Sequence, residues 1–162
     1  AHAFTQESAL WVGIDTTEFD GPGGWDPDFG WAFGGELVFP VQDAFSIRTG
    51  LGILQKKSES DLYNRKAEFV FLEVPVTGMY RFSKLFSYFG GLNFDITLAD
   101  DGFKSEAFAV NVEPLGARFD FANVHHAEAF LEFGITDIAD TDLKVGYTLA
   151  VRYLYDFNIS PK

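Results

Sequence analysis

The sequence predicts an all-β fold: a single-domain, eight-stranded antiparallel up-and-down transmembrane β-barrel over residues 1–162, with its strands within about 4–159. Three observations predict it. Apolar and polar residues alternate in eight segments, the connections between segments are local and alternate in length, and the polar faces combine small residues with charges of both signs. Because successive side chains of a strand point to opposite faces, each segment would have one apolar and one polar face.

The last strand, residues 143–157, displays the alternation most clearly. Its odd positions are apolar or aromatic throughout, beginning with Leu143, whereas its even positions include Lys144, Arg152 and Asp156. Its length exceeds the five or six residues typical of strands in globular proteins. We expect its odd face to contact lipid and its even face to line the interior. It should also pair with the first strand and so close the barrel, because an open edge in lipid leaves backbone groups unsatisfied.

The other seven strands are defined by the same pattern. In chain order they cover about residues 4–15, 29–39, 45–56, 66–82, 86–98, 108–121 and 127–135. The apolar faces of the first four carry Leu10, Val12 and Ile14; Phe29, Trp31, Phe33, Leu37 and Phe39; Phe45, Ile47, Leu51 and Ile53; and Val70, Leu72, Val74, Val76, Tyr80 and Phe82. Those of the next three carry Phe86, Tyr88, Leu92, Phe94, Ile96 and Leu98; Phe108, Val110, Val112, Phe119 and Phe121; and Ala127, Ala129, Leu131, Phe133 and Ile135. In the sixth strand the alternation inverts around Pro114–Gly116, which predicts a β-bulge, because one extra residue moves later side chains to the other face.

The connections alternate in length along the chain. The longer, acidic ones are residues 16–28, 57–65, 99–104 and 136–142, and the short ones are 40–43, 83–84 and 122–125. Because neighbouring strands run in opposite directions, all long loops fall at one end and both termini at the other. Outer-membrane barrels have this arrangement, with long extracellular loops and short periplasmic turns.

The two faces of the strands distinguish two kinds of barrel. A soluble lipocalin-like barrel that binds a small ligand would keep the apolar face inside, and it remains the alternative; a membrane barrel inverts this. Small residues mixed with opposite charges suit a narrow interior in which charged side chains pair. The predicted interior network is Glu36, Arg48, Glu73, Arg81, Asp95, Glu113, Glu132 and Arg152. The predicted lipid-interface aromatics are Trp31, Tyr80, Phe82, Phe86, Tyr88, Tyr153, Tyr155 and Phe157.

Composition excludes several classes of protein. The formal net charge of −12 argues against nucleic acid as a partner, because phosphate neutralisation requires clustered Lys and Arg. There is no Cys, so disulfides and thiolate metal sites are excluded. No run of eighteen apolar residues exists, which excludes a transmembrane helix. The small residues around His2 resemble a signal-peptidase site, and we expect a mature exported form.

Two segments resemble a known family. The segment FVFLEVPVTGMYRF at 69–82, followed by YFGGL at 88–92, resembles a strand pair of the small outer-membrane barrel superfamily, which groups OmpA-like, OmpX-like and PorT-like barrels. The last strand, with Gly146, Leu149 and its terminal aromatics, is similar to the C-terminal signal read by the barrel-assembly machinery, although residues follow it. The resemblance implies a bacterial outer-membrane protein, usually non-enzymatic, whose partners are the lipid bilayer, lipopolysaccharide and, during insertion, the assembly machinery.

The sequence offers no convincing catalytic residues. His125 and His126 are adjacent on a strand, so they point to opposite faces and cannot readily share one metal ion or one proton. Outer-membrane hydrolases combine a His with a Ser and an acid, and no Ser is suitably spaced here. The interior carboxylates fit salt-bridged packing better than acid–base catalysis. We therefore expect no enzymatic activity; a lipid-modifying membrane enzyme is the weakest of the three functional interpretations.

The first long loop carries the only candidate metal ligands. They are Asp15, Glu18, Asp20, Asp26 and Asp28, which lack the spacing of an EF-hand. A solvated acidic loop explains them more simply, and we expect no cofactor. A hypothesis is that Ca²⁺ or Mg²⁺ bridges such loops to lipopolysaccharide phosphates.

An eight-stranded barrel has interior space only for side chains, so an open pore is not expected. These observations predict a bacterial outer-membrane barrel with a packed polar lumen. Its expected role is structural, or one of interaction through acidic extracellular loops, with other envelope or surface proteins as possible partners.

Overall fold

The computed structural model describes residues 6–140 and 142–157, and these form one antiparallel sheet. Its strands are β1 Glu7–Asp20, β2 Asp26–Gln42, β3 Phe45–Ser60, β4 Arg65–Arg81, β5 Phe86–Asp100, β6 Phe108–Ala122, β7 His125–Gly134, β8 Asp137–Ala139 and β9 Leu143–Asp156. Strand β8 is a short piece beside β9, so eight strands form the wall. The predicted beginning of the first strand at residue 4 and the tail 158–162 lie outside the described residues.

The sheet closes on itself. Each wall strand pairs with the next along the chain, β7 pairs with β9, and β9 pairs with β1 from Ala9↔Asp156 to Asp20↔Lys144. Closure leaves no unpaired edge, which satisfies the backbone in an apolar phase. The predicted eight-stranded up-and-down antiparallel barrel is confirmed. No helix among the described residues is long and apolar enough to cross a membrane.

The barrel has two ends, which we name by their connections. The turn end carries residues 43–44, 82–85 and 123–124 together with residues 6 and 157. The loop end carries residues 21–25, 61–64, 101–107, 135–140 and 142. The long loops predicted at 16–28 and 57–65 are therefore wrong in extent. Their polar residues mostly continue the strands, because ladder pairing uses backbone groups and does not require apolar side chains.

The faces of the wall are inverted relative to a soluble barrel. Large apolar side chains cover the outside, where Leu10, Ile14 and Val151 are 57%, 60% and 51% exposed. Charged side chains lie inside, and Arg48 and Lys56 are each 1% exposed. A lipocalin-like carrier would have the reverse arrangement, so that alternative is wrong for this fold.

Bulges change the facing of two strands. In β6 the predicted bulge is present: the register shifts between Val112 and Leu115, and Pro114 and Leu115 are both exposed. A second bulge was not predicted. Opposite Glu18 and Phe19, strand β9 contains one extra residue, Gly146.

The second bulge corrects the assignment of the β9 faces. Beyond Gly146, Leu143 and Val145 turn inward, each 1% exposed, and Lys144 turns outward. The prediction that Leu143 and Val145 contact lipid and that Lys144 lines the interior is therefore wrong. Arg152 and Asp156, on the other side of the bulge, face inward.

The interior near the loop end contains an apolar cluster. One buried cluster includes Phe19, Trp25, Phe69, Phe71 and Leu143. The side chain of Phe103, from the β5–β6 connection, packs against it. Phe19 and Phe69 make an edge-to-face contact with ring centroids 5.6 Å apart. Such contacts add to the stabilisation from burial alone. We call this set the aromatic cluster.

Strand β8 secures the connections above the aromatic cluster. Its Ala139 forms an isolated bridge with Ser105, and the Glu106 amide donates to the Ile138 carbonyl at 2.9 Å. On the surface nearby, Lys104 and Asp140 form an ion pair whose hydrogen bond raises the pKa of Lys104 and lowers the pKa of Asp140.

Candidate functional site

The charged interior is the candidate site, and alternation along the strands builds it. The structure places the eight predicted interior residues on the inner face of the wall. Seven are fully buried, at 6% exposure or less, namely Glu36, Arg48, Glu73, Asp95, Glu113, Glu132 and Arg152. Arg81, close to the turn end, has a side chain 14% exposed.

Arg48 is the central residue of the charged layer halfway along the barrel. Its Nη1 donates to Glu128 Oε1 at 2.8 Å and lies 3.6 Å from Glu36 Oε2. Its Nη2 lies 3.6 Å from Glu113 Oε1. Its Nε donates to Thr77 Oγ1 at 3.0 Å. Arg48 in β3 thus joins β2, β4, β6 and β7 across the interior.

Two further cations pair with acids nearer the loop end. Lys56 Nζ donates to Asp95 at 2.8 Å and to Glu132 at 2.5 Å. Arg152 Nη2 donates to Glu73 Oε1 at 2.7 Å. These pairs join β3 to β5 and β7, and β9 to β4.

Aromatic rings of the inner face support the cations. The guanidinium carbon of Arg152 lies 3.9 Å from the ring centroid of Trp11 and 4.5 Å from that of Phe130. That of Arg48 lies 3.9 Å from the centroid of Phe89. Attraction to the ring faces favours these cations where water is excluded.

A third layer occupies the turn end. Arg118 Nη2 donates to Glu7 at 2.9 Å, its Nη1 to Glu36 at 3.1 Å, and its Nε to Asp120 at 3.1 Å. Asp120 also contacts Nδ1 of His126 at 2.6 Å. Arg118 is fully buried.

Six residues of this interior were missing from the predicted network, although alternation places Glu7, Lys56, His126 and Glu128 on the inner face. The six are Glu7, Lys56, Arg118, Asp120, His126 and Glu128. For Arg118 the signal was the β6 bulge, since placing Phe119 and Phe121 outside puts residue 118 inside. Lys56 shares the polar face of its strand with Ser46 and Arg48, so alternation alone assigns it to the interior.

Acids outnumber bases in the interior. Among the described residues, nine carboxylates are buried, against four guanidinium or ammonium groups. The carboxylates are Glu7, Asp15, Glu36, Glu73, Asp95, Glu113, Glu128, Glu132 and Asp156. Burial of unpaired charge is costly. The excess of acids therefore favours uptake of protons or of additional cations into the interior.

The five acids predicted to share one loop are distributed over two strands. Asp15 lies on the inner face of β1 and is 5% exposed. Glu18 and Asp20 follow on the outer face of β1, whereas Asp26 and Asp28 belong to β2. The single acidic loop is wrong because β1 continues to residue 20. Binding of Ca²⁺ or Mg²⁺ at the loop end stays a prediction.

The predicted interface aromatics lie on the outer surface. Exposed fractions are between 37% and 71% for Trp31, Tyr80, Phe82, Phe86, Tyr88, Tyr153, Tyr155 and Phe157. All except Trp31 lie near the turn end. His125 belongs to this belt, because it stacks on Phe121 and Tyr153 with ring centroids 5.9 Å away in each case.

A cavity opens at the loop end. Its volume is about 430 Å³, and its lining residues are Pro22, Trp25, Tyr63, Arg65, Phe103 and Leu143. The aromatic cluster forms its floor. Deeper in the barrel, a cavity of about 10 Å³ lies among Lys56, Glu73 and Arg152, which is room for about one water molecule.

No protein-family model and no curated protein sequence matches this chain. Solved structures do match. Ail, the attachment invasion locus protein of Yersinia pestis, in complex with the heparin analogue sucrose octasulfate, is 15% identical with a TM-score of 0.62, covering 95% of this chain and 100% of that one. OprG of Pseudomonas aeruginosa is 12% identical with a TM-score of 0.58, covering 97% and 98%. AlkL, determined by solid-state NMR in DMPC bilayers, is 11% identical with a TM-score of 0.50, covering 100% and 94%.

These three proteins are small eight-stranded outer-membrane β-barrels. The chain described here has their fold, as the resemblance of its strands predicted. At these identities the likeness concerns the fold alone.

Proposed function

We propose that this chain is a bacterial outer-membrane barrel with a sealed interior, which acts as a structural or interaction protein through its loop end and is neither a channel nor an enzyme. The observation that supports the proposal is that buried side chains occupy the interior at each level of the wall below the loop-end cavity. Paired charges fill the turn end and the middle, and the aromatic cluster fills the loop end.

The filling side chains are buried and mutually bonded. Arg118 and Arg48 occupy successive layers at 0% and 1% exposure, and Phe69 and Phe71 occupy the loop-end layer at 0%. An eight-stranded wall encloses a space that side chains of this size fill. An ion crossing the barrel would have to displace these groups from their partners, which supports a barrel closed to ions.

The surface of the loop end indicates its chemistry. Exposed acids outnumber exposed bases there, and these acids are Asp20, Asp26, Glu59, Asp61, Asp100, Asp101, Glu106, Asp137, Asp140 and Asp142. Ail was solved with a sulfated polyanion, but an acidic surface repels such a ligand. Contact with lipopolysaccharide phosphates bridged by Ca²⁺ or Mg²⁺, or with a basic protein surface, fits it better.

The orientation belongs to the same proposal. The loop end faces the outside of the cell and the termini face the periplasm, where the aromatic end of β9 is available to the barrel-assembly machinery. Because the chain has no Cys, single cysteines can report it. Asp61→Cys at the loop end should react with an impermeant maleimide on intact cells, whereas Asp43→Cys at the turn end should react only after lysis. The opposite labelling pattern would refute the orientation.

Conductance tests the sealed interior. Purified barrel in a planar lipid bilayer should give no discrete current steps, under conditions in which an open general porin does. A matched variant, Arg48→Ala with Arg118→Ala, removes two large, fully buried side chains and should raise leak current if these groups block the path. Reproducible single-channel steps from the unmodified chain would contradict the proposal.

A further inference from the structure

Three strand ends meet inside the turn end of the barrel. Glu7 begins β1, His126 is the second residue of β7, and Asp156 ends β9. One ring nitrogen of His126 and one carboxylate oxygen of each acid lie within 4.8 Å of one another. The three residues are 7%, 4% and 8% exposed. Among the described residues, no other group of three such ligands converges in this way.

The ring of His126 is oriented by a carboxylate, as the rings of metal-binding histidines commonly are. Its Nδ1 contacts Asp120 Oδ1 at 2.6 Å, which fixes the ring and leaves Nε2 as the available nitrogen. Nε2 is buried and has no hydrogen-bond partner among the described residues. A carboxylate on one imidazole nitrogen and a metal ion on the other is a recurrent arrangement, in which the carboxylate orients the ring and raises its basicity.

The two acids retain the capacity to bind a cation. Glu7 accepts from Arg81 at 3.2 Å on Oε1 and from Arg118 at 2.9 Å on Oε2, and each oxygen has a second lone pair. Within residues 6–140 and 142–157, Asp156 accepts only a long bond of 3.4 Å from the Ser8 amide on Oδ1. The excess of acids in the interior offsets the two guanidinium groups, so a divalent cation here would reduce the net buried charge.

We propose that Glu7, His126 and Asp156 bind a divalent transition-metal ion of the Zn²⁺ type, with water completing the coordination. One imidazole and two carboxylates suit Zn²⁺, whereas Ca²⁺ and Mg²⁺ prefer oxygen ligands alone. The site lies at the opposite end from the acidic surface and does not depend on the proposed interaction role.

The position of the site gives the metal a structural consequence. Strands β1 and β9 form the seam that closes the barrel, and Ala9↔Asp156 is the first pair of that seam at the turn end. A metal ion bound by Glu7 and Asp156 links β1 to β9 from inside the barrel. Through His126, the same ion links these two strands to β7. Since the ion binds the closed barrel and not the unfolded chain, it stabilises the closed form.

The test is zinc binding by the purified, folded barrel in detergent without a polyhistidine tag. Calorimetry should give a saturable site for about one Zn²⁺ per chain, and Zn²⁺ should raise the temperature of the heat-induced mobility shift. Substitution of Co²⁺ should give visible absorption bands typical of bound Co²⁺. Calcium and magnesium at the same concentration should give neither effect.

Variants locate the ion. His126→Ala and Asp156→Asn should each lower Zn²⁺ affinity by at least about tenfold, and Asp120→Asn, which loosens the ring, by about 10- to 100-fold. His125→Ala is the matched control, because its ring lies in the outer aromatic belt, and it should bind Zn²⁺ as the unmodified chain does. Each variant is first checked for the folded gel mobility, and Asp156→Asn at the barrel rim covers the case in which His126→Ala fails to fold.

Two outcomes would overturn the proposal. One is the absence of saturable Zn²⁺ binding by the folded, unmodified barrel. The other is binding that persists unchanged in the folded Asp156→Asn or His126→Ala variant, since the ion would then lie elsewhere. Single-channel currents or a reversed labelling pattern would refute the proposed function without affecting Zn²⁺ binding, so the two proposals fail separately.

Discussion

At the scale of single residues, the arrangement of the interior depends on which partner each charged side chain reaches. Arg152 was predicted from its position alone, because between the β9 bulge and the turn end the odd positions are apolar and exposed, so that an even-numbered Arg points inward. Its partner Glu73 could not be predicted, since β4 and β9 lie on different parts of the wall and the tilt of the strands decides which residues meet. The same limit hid the pairing of Arg48 with Glu128.

Arg152→Ala tests the cost of an unpaired interior charge. Glu73 would lose its donor at 2.7 Å while remaining 1% exposed. We expect a loss of about 3–5 kcal/mol in the free energy of unfolding, measured by urea titration of the barrel in detergent or lipid. The control is Lys66→Ala, which removes an exposed partner 3.5 Å from Glu59 and should cost less than about 1 kcal/mol. Equal effects of the two changes would refute the role of the interior pair.

Glycine provides the space for Trp11. A Cβ at Gly52 would lie 2.5 Å from Trp11 Cζ2, and a Cβ at Gly34 would lie 2.5 Å from the same atom but also 2.4 Å from the Leu51 carbonyl oxygen. The first clash involves mainly a side chain, and the second also involves backbone.

The two glycines should therefore differ in a double-mutant cycle. Gly52→Ala should cost about 1–3 kcal/mol through overpacking, and adding Trp11→Phe should recover part of that loss, seen as a favourable coupling energy. Gly34→Ala should recover less with Trp11→Phe, because its backbone clash remains. Urea unfolding of the four-member cycles measures both couplings, and equal couplings would contradict this account.

At the scale of elements, alternation identified all eight wall strands and the β6 bulge, but it failed near the loop end. Alternation distinguishes the faces only where one side meets an apolar phase and the other is polar. Near the loop end the interior contains the aromatic cluster, so Leu143 and Val145 suit either face. The bulge at Gly146 therefore left no sign in the sequence, and strand ends that are polar on both faces resembled loops.

The β9 bulge predicts a specific order of effects for two adjacent residues. Leu143→Ala should cost about 2–5 kcal/mol in the free energy of unfolding, because it leaves a cavity beside Trp25 in the aromatic cluster. Lys144→Ala should cost less than about 1 kcal/mol, since its side chain is 42% exposed and its partner Asp20 is 3.5 Å away. An uninterrupted strand would bury Lys144 and reverse the order, and urea unfolding distinguishes the two cases.

At the scale of the whole molecule, the closed wall and its apolar outside predict two properties of an intact barrel. The chain should leave the membrane only in detergent. On a denaturing gel the unheated sample should migrate differently from the boiled one, because a closed barrel resists the detergent until heat opens it. Extraction in buffer without detergent, or identical mobility before and after boiling, would contradict the membrane-barrel account; boiled sample is its own control.

The cross-barrel pairs also bear on the number of strands. Arg48 in β3 reaches Glu128 in β7, and Arg152 in β9 reaches Glu73 in β4, so each pair spans the bore rather than joining neighbours in the sheet. No hairpin added during assembly can satisfy these groups before the opposite side of the wall arrives. Because the bore widens with every added strand, a duplicated hairpin would pull the partners apart. The cross-barrel pairs therefore favour a wall of eight strands. They disfavour larger barrels built from the same sequence, because the paired side chains would no longer reach each other.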